Sequence, residues 1–110
     1  METTKLIKAA EKVAKHMEND FMRWRQDPNA ESDKVEFEVN RNFIRFVRDN
    51  SCNGFIVINP PKGIDNKTGE AFKVGDLLMA KSWKAPAKNF ARGNVFEDGW
   101  ELNVRWTGVL

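Results

Sequence analysis

Tyrosine is absent from this chain, and histidine and cysteine occur once each, as His16 and Cys52. Each scarcity excludes something. Small secreted domains rely on several disulfides, so a single cysteine points to a reducing, intracellular setting. Metal centres combine several His, Cys and carboxylate ligands at short spacings, and one His far from one Cys supplies no such set. No metal and no other cofactor is expected. The first residues, METTKLIKAAEKVAK, are charged throughout and lack the apolar stretch of a signal peptide. No run approaches the roughly 20 apolar residues of a membrane span. The expected location is a cytoplasm, without a membrane partner.

What is present fits one globular domain, 1–110. A chain of 110 residues encloses a single modest core, burying about two thirds of its unfolded surface. A composition 41% hydrophobic and 31% charged argues against disorder. The 18 basic and 16 acidic residues leave a net charge of +2. That is too near balance to argue for a nucleic-acid partner from composition alone.

Leu6, Ala10, Val13, Met17, Phe21 and Trp24 recur at spacings of three and four, with Ile7 and Ala14 widening the stripe. This is one apolar face of an amphipathic helix over about 4–25, capped by Thr3 or Thr4 and ended by Asp27-Pro28-Asn29. Val35 to Val39 alternates as a half-buried strand, and Phe43 to Arg48 reads as its hairpin partner. Asp49-Asn50-Ser51, with Cys52-Asn53-Gly54 as an extension, is placed in a turn before an apolar central strand, Phe55 to Ile58. Asn59-Pro60-Pro61 stops that strand. Phe72 to Val74 opens a short strand, Leu77 to Ala80 forms a fourth, and Trp100 to Trp106 alternates as a last one after an Asp98-Gly99 turn. One long helix followed by strands without crossover helices predicts an α+β fold. The helix should cover an antiparallel sheet of four to five strands within 35–110.

No catalytic motif emerges, so the chain is read as a non-enzyme. A Cys52–His16 nucleophile pair would require the two to meet in space. Glu36 and Glu38 read as the solvated side of a strand rather than as an acid–base pair. The glycines of Pro61-Lys62-Gly63 and Thr68-Gly69-Glu70 do not have phosphate-loop spacing. Arg41 to Arg48 interleaves cations with Phe43 and Phe46, as single-strand binders do. The two rings have opposite parity, however, so at least one belongs to the core.

The segment Met79 to Val95 stands apart, because it carries Lys81, Lys84, Lys88 and Arg92 and no acid. Such a local field of one sign suits phosphate or an acidic partner. Two readings coexist. In one, those cations, with Arg45 from the second strand, contact phosphates while Trp83 or Phe90 stacks on a base. In the other, Trp83, Pro86 and Phe90 anchor an ordered wrap at the end of the sheet. Pro86 then opens a helical turn, Gly93 allows a tight exit, and the lysines are solvated.

Gly75 to Val95, and the run Ser82-Trp83-Lys84-Ala85-Pro86-Ala87-Lys88 in particular, resembles a segment of small uncharacterised proteins of tailed phages and prophages. The Phe55-Ile56-Val57 strand is similar to the one preceding that run in the group. The resemblance spans about 35–95 and transfers no catalytic residues. It implies a viral origin, expression in a bacterial cytoplasm and an accessory role in binding. The leading expectation is a macromolecule-binding module that uses the basic loop at 81–92, with nucleic acid as a candidate partner. A protein–protein module is the alternative, either a homodimer or a modulator of a host protein, anchored by Trp24, Trp100 or Trp106. A small-molecule or nucleotide binder is the third.

Overall fold

The computed structural model describes residues 3–25, 34–48, 51–82, 85–105 and 108–109. Helix α1 (Thr3–Arg25) precedes strands β1 (Val35–Val39), β2 (Phe43–Arg48), β3 (Ser51–Val57) and β4 (Leu77–Leu78). These form one antiparallel sheet in the order β1-β2-β3-β4. A 3-10 turn (Trp100–Asn103) then leads into a small antiparallel pair, β5 (Val104–Arg105) and β6 (Gly108–Val109). The α+β class and the helix on an antiparallel sheet match the sequence expectation.

The stripe read from the sequence is the buried face of α1: Leu6, Ala10, Val13, Ala14, Met17 and Phe21 are all buried. Leu6, Ala10, Val13, Ala14 and Met17 pack on Val35, Ile44, Phe46, Ile56, Ile58 and Leu77, with Val104 and Val109 of the small pair completing the cluster. Trp24 does not belong to it and stands 61% exposed at the end of the helix. Glu18 ties α1 to the sheet margin by accepting the Val35 backbone N–H at 2.8 Å.

Successive residues of a strand point to opposite faces, and here both faces are covered. Phe55, Val57, Leu78 and Phe72 form a second cluster, with Phe43 and Cys52 packed against it. The parity conflict between Phe43 and Phe46 is thereby resolved. Phe46 is buried under the helix, while Phe43 meets Phe55 edge-on at 5.8 Å on the other face.

Three strand expectations need correction. First, Ser51 to Gly54 is not a turn but the start of β3. Gly54 pairs with Phe46 and Cys52 with Val47, so Asn53 is an extra residue on β3. A bulge of this kind re-aims a side chain, and Asn53 Nδ2 donates to Met17 Sδ at 3.8 Å. Second, Phe72 to Val74 forms no ladder. The Lys73 N–H is taken by the Asp76 carboxylate at 2.8 Å, closing a turn that places Phe72 in the second cluster.

Third, Trp100 to Asn103 is a 3-10 turn entered through Gly99 at φ 90°, so of the expected seven-residue strand Val104–Arg105 is the part found among the described residues; Trp106 lies outside them. Trp100 packs against the core and Val104 is fully buried, but a spacing of four fits helix and strand alike. Leu102 decides the matter, because it is 73% exposed.

In place of a fifth regular strand, residues 86–95 run antiparallel beside β4. Leu77 N–H donates to Gly93 O and Arg92 N–H to Leu77 O, both at 2.8 Å. Val95 N–H reaches Gly75 O at 2.9 Å and Ala87 N–H reaches Met79 O at 2.7 Å. The basic segment is therefore an irregular edge ribbon of the sheet.

Candidate functional site

The ribbon begins at a tight tip, where the Lys81 and Ser82 amides both donate to Ala85 O at 3.1 Å. Lys81 is exposed there. Trp83 and Lys84 lie outside the described residues. Pro86 opens no helical turn. It is buried and bridges Ala80 in antiparallel fashion. A residue without an N–H is tolerated at a sheet margin, where no ladder bond is lost.

Beyond Pro86 the ribbon sends its side chains to two different places. Lys88 is exposed and lines a groove with Asn42, Phe43, Asn59, Pro60, Pro61 and Lys62. The groove has a volume of about 340 Å³, and no carboxylate is among its lining residues. Its walls are fixed by the backbone. Ile58 and Asn59 N–H donate to Asn42 O at 2.8 and 3.1 Å, and Asn59 Nδ2 donates to Arg41 O at 2.6 Å. Arg41 is exposed beside this junction.

Arg92, by contrast, is not on the solvated side that its place in a charge run suggests. It is only 8% exposed. Its guanidinium lies 3.9 Å from the centroid of the Phe90 ring. Nη1 donates to Asn89 Oδ1 and Phe90 O, each at 2.7 Å. Burial lowers the proton affinity of the guanidinium, and the nearby Asp65 charge opposes that shift. Phe90 is half-buried, with both the Arg92 guanidinium and the Lys67 ammonium over its ring, the Lys67 Nζ lying 5.9 Å from the centroid.

Arg45 does not extend the basic surface either. It pairs with Glu38 directly across β1–β2, with its side chain 15% exposed. The stretch from Arg41 to Arg48 is thus mostly structural, and the part of it facing the groove is Asn42 and Phe43.

A second concavity, of about 370 Å³, lies between the 65–73 loop and residues 90–94. Sequence reasoning gave it no role. Asp65 is its keystone. One carboxylate oxygen accepts Lys67 N–H at 2.7 Å and Thr68 N–H at 3.2 Å, and the other accepts Ala91 N–H at 2.8 Å. Burial pushes the pKa of Asp65 up, but these amides and the Lys67 charge outweigh it and hold the carboxyl below its ordinary value. Asp76 takes Lys73 N–H at 2.8 Å and Asn94 Nδ2 at 3.0 Å. The Lys73 ammonium pairs with Glu97 at 3.0 Å, a hydrogen bond that raises its pKa. The spacing Asp65-Asn66-Lys67-Thr68 was a legible signal for the turn, but nothing in it foretold Ala91 as the third donor.

The remaining chemical candidates separate. His16 Nε2 lies 3.0 Å from Val104 O, and its ring meets Trp100 edge-on at 5.4 Å, on the helix side. Cys52 packs on the opposite face, and burial pushes its thiol pKa up, which suits an inert thiol rather than a nucleophile. Glu36 and Glu38 are exposed. Among the described residues no group of three or more His, Cys, Asp or Glu could hold a metal ion. No helix among them is long and apolar enough to cross a membrane.

Comparison of the chain with protein-family models, with curated proteins and with solved structures finds no match.

Proposed function

We propose that this chain is a non-enzymatic binding protein, of the accessory kind that phages encode, and that it holds nucleic acid through the groove of Phe43, Lys62 and Lys88. One observation carries the reading. Lys88 from the basic ribbon and Lys62 from the loop after β3 both line a groove without a carboxylate, together with an aromatic ring and two prolines. Exposed ammonium groups contact phosphates and release counterions, and an accessible ring edge or proline face supports a base. Asn42, exposed in the lining, supplies polar contacts to base edges. Of the basic loop, this reading assigns Lys88 to binding and leaves Arg92 in the fold.

The test is fluorescence anisotropy with a short labelled oligonucleotide over a salt series. Binding should weaken linearly in log–log form as salt rises. Each single-strand phosphate contact contributes a slope of about 0.7, so Lys62→Ala/Lys88→Ala should flatten the plot by about 1.4. A Lys8→Ala/Lys12→Ala control on the exposed face of α1 removes equal charge and should change little. Absence of binding at low salt, or equal effects of the two double variants, would overturn the assignment.

A protein–protein role rests on a different feature, the 61% exposed Trp24. Trp24→Ser would abolish partner capture while leaving oligonucleotide affinity unchanged.

A further inference from the structure

Among the described residues five polar or charged side chains are buried: Asn53, Asp65, Asp76, Arg92 and Asn94. Four of these, all but Asn53, line the cleft between the 65–73 loop and residues 90–94. Buried polar groups are costly unless fully bonded, so their concentration at one concavity needs a reason. Convergent polar groups around a formed cleft are the usual mark of a small-ligand site. We propose that this cleft binds a small zwitterion, an ammonium and a carboxylate on one compact molecule of amino-acid size.

The deep groups supply rigidity rather than contacts. Both Asp65 oxygens are engaged by backbone amides, and both Asp76 oxygens by Lys73 N–H and Asn94. Arg92 spends its Nη1 on Asn89 and Phe90. Asn103 Nδ2 donates to Arg92 O at 2.7 Å and closes the far wall. The loop and the ribbon are thereby locked together without a ligand, which lowers the ordering cost of binding one.

The groups left for a ligand stand at the lip, where Lys67, Glu70, Lys73 and Glu97 are exposed. The Lys73–Glu97 pair is 59% exposed on each partner. Ion pairs so exposed to water contribute little, so a ligand carboxylate and ammonium replace the two partners at small cost. The lining as a whole holds three cations and four carboxylates. That balance repels a polyanion, including an oligonucleotide or a nucleoside triphosphate, and gives a simple anion or cation only half of its contacts. A zwitterion meets both signs at once. The volume of about 370 Å³ falls at the small end of the roughly 300–1,000 Å³ typical of such clefts. None of its lining residues is shared with the Lys88 groove, so this site stands or falls independently of nucleic-acid binding.

Calorimetric titration with glycine, lysine and glutamate tests the assignment, with acetate, methylammonium and ATP as comparisons. At least one amino acid should bind saturably, with acetate and methylammonium alone about ten-fold weaker or more. Lys67→Ala and Glu97→Gln, both at exposed positions, should each weaken binding by a similar factor. Lys62→Ala/Lys88→Ala should leave it unchanged. Absence of binding by all three amino acids would overturn the proposal. Equal binding of ATP would too, as would an affinity indifferent to Lys67→Ala and Glu97→Gln.

Discussion

The guanidinium carbon of Arg92 lies 3.9 Å from the centroid of the Phe90 ring, with Nη1 held by Asn89 Oδ1 and Phe90 O. A cation inside a run of cations is thus consumed in shaping its own segment. Lysine keeps the charge but loses the planar fork and the stacking. Arg92→Lys should therefore destabilise the fold by about 1–2 kcal/mol, read as a lower urea midpoint with unchanged slope. An Arg92→Lys protein as stable as the parent would show that the contact is incidental.

Asp65 gives a pH signature. Its folded pKa lies below the unfolded value, so its contribution is present above about pH 3.9 and is lost as pH falls through the lower folded value. Asp65→Asn keeps the shape and removes the charge. Its stability should fall below that of the parent at neutral pH, and the gap should close under acid, below about pH 3.9. Urea unfolding across that range measures it; a gap that persists in acid contradicts the assigned linkage.

Two glycines separate crowding from backbone strain. A Cβ on Gly108, at φ 131°, would meet Asn53 O at 2.5 Å, whereas one on Gly63, at φ 107°, would meet nothing within 4 Å. Gly63→Ala should cost about 1 kcal/mol from conformation alone. Gly108→Ala should cost about 3 kcal/mol, since the β6 backbone must also withdraw from β3. Faster amide exchange of Val109 in Gly108→Ala would locate the damage; equal losses in the two variants would refute the close-approach argument.

His16 joins α1 to the chain end through Val104 O and the edge of Trp100. His16→Leu fills similar space but takes away the shorter of two contacts to Val104 O, leaving Arg105 Nη1 at 3.2 Å, at a cost of about 1 kcal/mol. Tryptophan emission should shift as Trp100 loosens, and a spectrum identical to the parent would count against the contact.

The helix and the first hairpin were legible because periodicity and burial agree there: the stripe from Leu6 to Met17 faces one core, and Ile44 and Phe46 alternate into it. Ser51 to Gly54 misled because a polar tetrapeptide with a terminal glycine reads as a turn, whereas Gly54 serves the close approach of Val109 and Asn53 is a bulge. Trp100 and Val104 misled because four-residue spacing satisfies two periods at once. In the basic segment the place of Pro86 at a sheet margin follows from its missing N–H. The diversion of Arg92 inward was not legible, because it depends on Asn89, Phe90 and Asp65, and only the folded ribbon brings Asp65 to that place.

The ribbon that begins at Pro86 also decides how the sheet ends. Pro86 has no N–H to offer, the Phe90 amide is turned onto the Asn89 side chain, and the Ala91 amide is spent on Asp65. An incoming strand would meet an interrupted row of donors with no register to follow. The interruption acts as a guard against edge-to-edge association at this margin.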